Sequence, residues 1–448
     1  LGASEARFAT TPAVTAHTTL DFSLPYLHNC GVDISVVIPA LNEEKNLPLL
    51  LPGLTSCFAS LGLQGEIIVV DGGSTDRTTA VAQASGARVF VEGGTGFGAA
   101  IARGIREARG EYVVTMDGDN SHEPRYIGDM LEAARAADVV AASRYVPGGG
   151  AVCSAFRDLL SRVLNWWLRN LISLPIRDIS GGFRMYRRRI FEEFELSGRH
   201  FDIQAEIAVK AYARGFRLAE VPFEYTPRVT GLTKARVWAY GWAFLKTGFR
   251  LWRLRNTVYF ADYDHRAYTS RIPLQRLWHW SRYRLITSML EGREPALDVG
   301  CGSWRYILTS GAVGIDLDIA KARYVRHQGA RALCADASRL PFPDRTFREV
   351  LCTEVIEHLP EGNEIFRELA RVTARGGNLV VTTPDYSSPV WRAIEWAYER
   401  MLPGAYAVHH ITRYDAGLLL TALEDSGFKV TRRARMFRSI LAVKAEKS

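Results

Sequence analysis

Two carboxylates one residue apart, Asp117 and Asp119, follow directly on an apolar run in Tyr112-Val-Val-Thr-Met-Asp117-Gly-Asp119. In extended chain, residues i and i+2 turn to the same side, and Gly118 lets the backbone leave a sheet tightly, so both carboxylates can meet one hard cation. Mg²⁺ or Mn²⁺ takes few protein oxygens and completes its shell with water and phosphate, which suits neutralising a diphosphate as its bond to a sugar breaks. An acidic, Gly-rich strand exit is also a common solvated turn. Position separates the two readings. Ligands of open α/β sheets bind beyond the carboxyl ends of strands, where Pro39-Ala-Leu-Asn42-Glu43 and Asp71-Gly-Gly-Ser74 also fall.

A second set of such residues lies in the C-terminal third. Ala296-Leu-Asp298-Val-Gly300-Cys-Gly302 reads as a strand and a glycine-spaced turn that lets backbone approach a ligand. Asp316, Asp336 with Ala337, and Glu354-Val-Ile-Glu357-His358 end the next three apolar runs. A carboxylate at Asp316 could accept hydrogen bonds from ribose hydroxyls. His358, His409 and His410 are candidate bases for a hydroxyl substrate, each weighed against a purely structural histidine.

The elements that must position these groups follow from periodicity. Ile34–Pro39, Glu66–Asp71, Arg88–Glu92, Tyr112–Asp117 and Asp138–Ser143 read as buried strands, alternating with helices at Glu44–Phe58, Thr78–Ser85, Ala99–Arg109 and Arg125–Ala136. The alternation restarts with strands at Ala296–Gly300, Val313–Asp318, Ala332–Asp336, Glu349–Thr353 and Asn378–Thr383 and a helix at Glu361–Ala374. Two α/β units with mainly parallel sheets are expected, spanning residues 31–233 and 284–448, behind a disordered leader at 1–30. An aromatic and basic helical linker occupies 234–283. Within it Trp238, Trp242, Leu245, Phe249 and Trp252 share one helical face beside Lys246, Arg250 and Arg253, a stripe suited either to a bilayer surface or to packing on the protein itself.

Five ordered motifs make the first unit resemble the family-2 glycosyltransferases of GT-A fold, the dolichyl-phosphate mannose synthase group in particular. They are Val36-Val-Ile-Pro-Ala-Leu-Asn-Glu-Glu44, Val69-Val-Asp-Gly-Gly-Ser-Thr-Asp76, Met116-Asp-Gly-Asp-Asn-Ser-His122, Ser143-Arg-Tyr145 and Asp178-Ile-Ser-Gly-Gly-Phe-Arg184. The resemblance implies a nucleotide-sugar donor in a pocket of Pro39, Ala40, Asn42, Glu43, Asp71 and Gly98, with Asp117 and Asp119 on the metal. It departs from the family pattern at Gly72, where a second acidic residue is common, and at Ser121, where some relatives carry a Gln ligand. The implied acceptor is polyprenyl phosphate or a related glycolipid. Its oxygen is already anionic and needs cationic positioning more than a base. Arg144, Arg157, Arg228 and Lys234 are the candidates, the last two in a segment similar to the family's late Arg…Gly-x-Ser-Lys.

The second unit resembles class I S-adenosylmethionine methyltransferases of Rossmann-like fold. By that resemblance Asp298, Gly300 and Gly302 surround the methionine part, Asp316 the ribose, Asp336 and Ala337 the adenine, and Glu354 also faces the cofactor. No Asn/Asp-Pro-Pro-Tyr/Phe motif is present, so a nucleobase amine is not the expected acceptor. A saccharide acceptor for the first unit, with the second acting only as a cofactor-binding or docking module, is the alternative.

A formal charge of +8 favours anionic partners, and its scatter offers no nucleic-acid recognition motif, so no nucleic-acid partner is expected. Six dispersed cysteines suggest neither a zinc site nor a disulfide framework. The scattered cysteines suit a reducing cytosol, and a cytoplasmic protein lying peripherally on the cytoplasmic face of the membrane is the expectation; no apolar run reaches the ~18–20 residues that a span requires.

Overall fold

The computed structural model describes residues 31–93, 96–198, 202–226, 237–362, 364–401 and 410–448. Among them the strands are β1 (Ile34–Ala40), β2 (Gly65–Asp71), β3 (Arg88–Val91), β4 (Tyr112–Thr115), β5 (Val139–Ser143), β6 (Gly150–Ala151), β7 (Arg184–Arg187), β8 (Leu218–Pro222) and β9 (Glu224–Tyr225) in the N-terminal half. Those of the C-terminal half are β10 (Ala296–Val299), β11 (Val313–Asp316), β12 (Arg331–Cys334), β13 (Phe347–Thr353), β14 (Thr373–Pro384), β15 (Phe428–Met436) and β16 (Ile440–Lys447).

The first sheet has the order β3-β2-β1-β4-β7-β5-β8. β1 pairs in parallel with β2 and β4, and β7 runs antiparallel between β4 and β5. Val36, Val37, Ile38, Val69, Val70, Val113 and Val114 are fully buried. Continuous apolar runs of this kind are expected where helices cover both faces of a sheet. Parallel strands of one sheet share their carboxyl edge, so the loops after β1, β2 and β4 meet there by construction.

The second sheet, β12-β11-β10-β13-β14-β16-β15, repeats that logic with an antiparallel pair at one edge. Three helices, Val237–Arg255, Tyr263–Ala267 and Pro273–Thr287, connect the halves. A polar seam joins the two units. Arg323 donates to the Arg214 carbonyl (2.6 Å) and to Glu193 (2.6 Å), and its guanidinium lies 4.1 Å from the centre of the Phe216 ring. Ala261 N donates to Ala213 O (3.0 Å), Arg217 donates to His327 O (2.7 Å), and His327 Nδ1 sits 3.0 Å from Gly215 O. Gly215 has φ +76°, and a Cβ there would stand 2.2 Å from Ala320 O, so only glycine fits the seam.

Candidate active sites

At the carboxyl edge of the first sheet, side chain-to-backbone hydrogen bonds stitch three loops together. Asn42, at φ +57°, accepts from Thr75 N (2.8 Å), and its own N–H donates to Ser74 Oγ (2.9 Å). Glu43 N donates to Thr78 Oγ1 (2.8 Å), and Asn120 Nδ2 reaches the Asn46 carbonyl (2.9 Å). Gly118 permits the third loop to close over the first, since a Cβ there would meet Ile38 Cγ2 at 3.2 Å.

Asp119 is buried and accepts from Ser121 Oγ (2.5 Å) and Ser121 N (3.1 Å) through Oδ1. Asp117 N donates to His122 Nδ1 (2.9 Å), which fixes the ring proton on Nε2, 3.9 Å from Asp117 Oδ2. Burial lowers the His122 pKa below its ordinary value, against the pull of Asp117 and Asp119. The ring therefore stays neutral beside the carboxylates and does not compete with a cation. Gly182 leaves room on the other side, where a Cβ would lie 3.5 Å from Asp117 Oδ1. The hard oxygen donors of Asp117 and Asp119 fit Mg²⁺ or Mn²⁺.

Asp71 is buried and accepts from Gly73 N (3.2 Å) and Ser74 N (3.1 Å), so this carboxylate shapes its own turn. Gly98 is buried in the first turn of the helix Phe97–Glu107. Arg144 spends its fork on Asp178, Nε to Oδ2 at 2.7 Å and Nη2 to Oδ1 at 2.8 Å. Burial alone would raise the Asp178 carboxyl, but Arg144 overrides it and holds it below the usual range. Asn165 braces the same turn by accepting from Ile179 N (2.8 Å) and Ser180 N (3.1 Å).

In the second unit a cavity of about 360 Å³ opens at the carboxyl edge of its sheet, within the usual size range of small-molecule pockets. Gly300 (φ +68°) lets the chain pass Val355, whose Cγ2 would stand 2.0 Å from a Cβ. Asp316 accepts from Gly302 N (2.7 Å) and Asp318 N (2.8 Å). Asp298 accepts from Trp304 Nε1 (2.7 Å) through Oδ2, and its buried Oδ1 has no partner among the described residues. Burial pushes the Asp298 carboxyl up to about 7, against the Trp304 bond. Glu354, at φ +58°, accepts from Thr382 Oγ1 (2.8 Å). Burial raises both Glu354 and Glu357, and for Glu357 the neighbouring Glu354 adds to the rise. The orphaned Asp298 oxygen and the glycine cradle fit a cofactor carrying both a cationic and a nucleoside part.

Comparison with known proteins gives this edge chemistry a family. The model of glycosyl transferase family 2 matches residues 35–194, and that of a methyltransferase domain matches 297–381. The chain is 38% identical over 214 residues to polyprenol monophosphomannose synthase of Mycolicibacterium smegmatis, covering 44% of this chain and 79% of that one. It belongs to glycosyl transferase family 2. Dolichol-phosphate mannosyltransferase of Pyrococcus furiosus is 36% identical over 224 residues, 45% of this chain and 59% of that relative. Among solved structures, glucosyl-3-phosphoglycerate synthase of Mycobacterium tuberculosis aligns with 50% of this chain and 80% of its own (21% identity, TM-score 0.39). An S-adenosylmethionine-dependent methyltransferase of Thermotoga maritima aligns with 39% of this chain and 95% of its own (17% identity, TM-score 0.34).

The protein is thus a transferase in which a family-2 glycosyltransferase of GT-A type is fused to a Rossmann-like methyltransferase domain. Within the glycosyltransferase unit Pro39, Ala40, Asn42, Glu43, Asp71, Asp117 and Asp119 share one edge. Arg228, Lys234 and His409 lie outside the described residues, as does the Arg157 side chain. In the methyltransferase unit Gly300, Gly302, Asp316, Asp336, Ala337, Glu354 and His358 line the cavity, and Asp298 sits beneath it.

Two contributions were missed in the sequence. The segment read as a linker supplies Asp264, His279 and Arg282 to the cavity wall. The helix Ala155–Ile172 carries Phe156, Leu159, Leu160, Val163 and Trp166 exposed, at spacings of 3, 1, 3 and 3. That helical period was available as a signal. Of the aromatic stripe on the helix Val237–Arg255, Phe249 and Trp252 are exposed and stack on each other, while the side chains of residues 237–245 lie outside the description.

Proposed function

We propose that the glycosyltransferase unit moves a hexosyl group from a nucleotide sugar to polyprenyl phosphate, and that the second unit methylates a hydroxyl of the glycolipid product or of a neighbouring glycan. The observation carrying the first half is the Asp117–Asp119 loop, hydrogen-bonded and packed onto the loop after β1, which is itself bonded to the loop after β2. The relatives, a polyprenol monophosphomannose synthase and a dolichol-phosphate mannosyltransferase, support the acceptor.

A phosphate oxygen of the acceptor attacks the anomeric carbon, the bond to the diphosphate breaks, and the nucleoside diphosphate leaves. Asp117 and Asp119 would hold Mg²⁺ or Mn²⁺, which supplies charge neutralisation at that diphosphate. The acceptor is ionised at neutral pH, so the chain's task is alignment, with Arg228 and Lys234 proposed for the lipid phosphate. Arg144 acts through Asp178 to hold the turn beside Asp117 and is a positioning residue. The exposed apolar face of Ala155–Ile172, with Phe249 and Trp252, favours a lipid over a soluble saccharide, because a polyprenyl chain must be met at a bilayer surface. Among the described residues no helix is long and apolar enough to cross a membrane, and peripheral binding on the cytoplasmic face is the proposed location.

For the second half, S-adenosylmethionine would sit over Gly300–Gly302, with Asp316 toward the ribose and Asp336 and Ala337 toward the adenine. The hydroxyl oxygen gains the methyl group as the sulfonium carbon–sulfur bond breaks, and the hydroxyl proton passes to a base or to water. Incubation with radiolabelled donor and extracted lipid, followed by solvent partition, tests the first half. Label should enter the organic phase with the native chain and fail to with Asp119→Ala, and undiminished transfer by that variant would refute it. Calorimetry with S-adenosylmethionine tests the second, where absence of heat would reduce this unit to a docking module.

A further inference from the structure

Glu357, His358 and His410 meet on the wall of the methyltransferase cavity with their ligand atoms all within 4.8 Å of one another. We propose that these three side chains hold a divalent transition-metal ion, Zn²⁺ or Mn²⁺, whose remaining positions face the cavity and bind the hydroxyl that is methylated. This rests on the methyltransferase reading above and names the means by which that site takes its acceptor.

Three observations point to a ligand. First, Glu357 is 1% exposed, and while its Oε2 accepts from Thr383 Oγ1 (3.1 Å), its buried Oε1 has no partner among the described residues. A carboxylate oxygen left so deep is destabilising unless something charged or donating meets it. Second, the tautomer of His410 is fixed from outside. Tyr386 Oη lies 2.7 Å from Glu395 Oε1 and 2.7 Å from His410 Nδ1. An ionised carboxylate only accepts, so the phenol gives its proton to Glu395 and must itself accept from His410 Nδ1–H. The lone pair of His410 is then on Nε2, the arrangement that metal-bound histidines obtain from an outer hydrogen bond.

Third, backbone bonds bring the ligands together across fifty residues of chain. Ile411 N (2.8 Å) and Thr412 N (3.0 Å) both donate to the Glu357 carbonyl, which seats His410 against the Glu357–His358 turn. The His358 and His410 rings stand 4.8 Å apart at 62°. Two imidazoles and a carboxylate favour Zn²⁺, Mn²⁺ or Fe²⁺ over Ca²⁺, and bonds of ~2.0–2.2 Å would draw the three atoms slightly inward. A metal-bound hydroxyl ionises more readily, so its oxygen attacks the S-methyl carbon as the proton goes to solvent and the thioether departs.

The test uses the full chain carrying Asp117→Ala and Asp119→Ala, which silences the other candidate metal site. Equilibrium dialysis against ZnCl₂ and against MnCl₂ should give one bound ion per chain. Adding His410→Ala or Glu357→Gln should weaken binding at least tenfold. S-adenosylmethionine affinity, read by calorimetry on the same samples, should persist in His410→Ala and so report an intact fold. A chain that binds S-adenosylmethionine but neither ion, or one whose ion binding ignores both substitutions, overturns the proposal. If the ion binds with the expected residue dependence and S-adenosylmethionine does not, the methyltransferase reading fails while the metal site stands.

Discussion

Asp298 offers a quantitative test of how burial sets chemistry in the methyltransferase unit. Its carboxyl is fully buried at the end of β10, one oxygen on Trp304 Nε1 and the other orphaned, and burial places its pKa at about 7. In the unfolded chain the same group titrates near ~3.9. A raised carboxyl binds more protons folded than unfolded between these values, so its contribution to stability is fullest below about pH 4 and is lost as pH rises through about 7. About three pH units at ~1.4 kcal/mol each amount to about 4 kcal/mol. Asp298→Asn keeps an oxygen for Trp304 and removes the titration. The difference in unfolding free energy, variant minus native, should therefore rise by about 4 kcal/mol from pH 4 to pH 8, whatever constant cost the amide brings. Taking the difference matters because His279, lowered to about 4 by burial, tilts the native curve the other way. Urea unfolding followed by tryptophan fluorescence at four or five pH values measures it. A difference that stays flat across this range would refute the reasoning.

Further outcomes follow from other contacts. Asp178→Asn strands the Arg144 guanidinium, about a fifth of whose side chain is exposed, and should cost about 2–4 kcal/mol by denaturant unfolding, whereas a surface pair would cost under ~1. Because Arg144 holds the Asp178 carboxyl low, that pair's contribution is present above about pH 4 and fades as the solution is acidified through the folded value, which acid titration of Asp178→Asn against the native chain would show. Gly300→Ala drives a Cβ to 2.0 Å from Val355 Cγ2 at φ +68° and should weaken S-adenosylmethionine binding at least tenfold in calorimetry, with partial recovery on adding Val355→Ala. Leu159→Ser with Trp166→Ser should abolish flotation with anionic vesicles while shifting unfolding free energy by no more than ~0.5 kcal/mol, since both side chains are already exposed.

The parallel strands were legible because burial on both faces demands unbroken runs such as Val36–Ile38 and Leu379–Val381, and the chemistry sat at their ends, where it was sought. β7 and β16, which run antiparallel inside their sheets, carry no local mark of direction, because pairing with β4 and β14, partners 56–75 residues away, decides it. The role of Arg144 was misweighted for a similar reason. As a cation in Ser143-Arg-Tyr145 it looked available to phosphate, and only folding showed Asp178 occupying its fork. Asp71 likewise reads as a contact to the nucleotide-sugar donor, yet in space its oxygens accept from its own turn. The Glu357–His358–His410 cluster was half visible, the first two adjacent and the third brought in by backbone bonds no spacing rule foretells.

The seam at Gly215 bears on how such a fusion could arise. Its acceptors include the carbonyls of Ala213, Arg214 and Gly215, groups at the end of a helix that have no intrahelical partner and that water can serve equally well. Parting the two units there would return these carbonyls to water together with the rings of Tyr212 and Phe216, which now meet Tyr324 and Arg323, so an ancestral pair of separate polypeptides could have lived apart in solution. Recombination then had only to supply a covalent tether and a few donors such as Arg323 and Ala261 N. At Gly215 the joined form adds a steric demand, from Ala320 O, to the one that φ +76° at the helix end already makes.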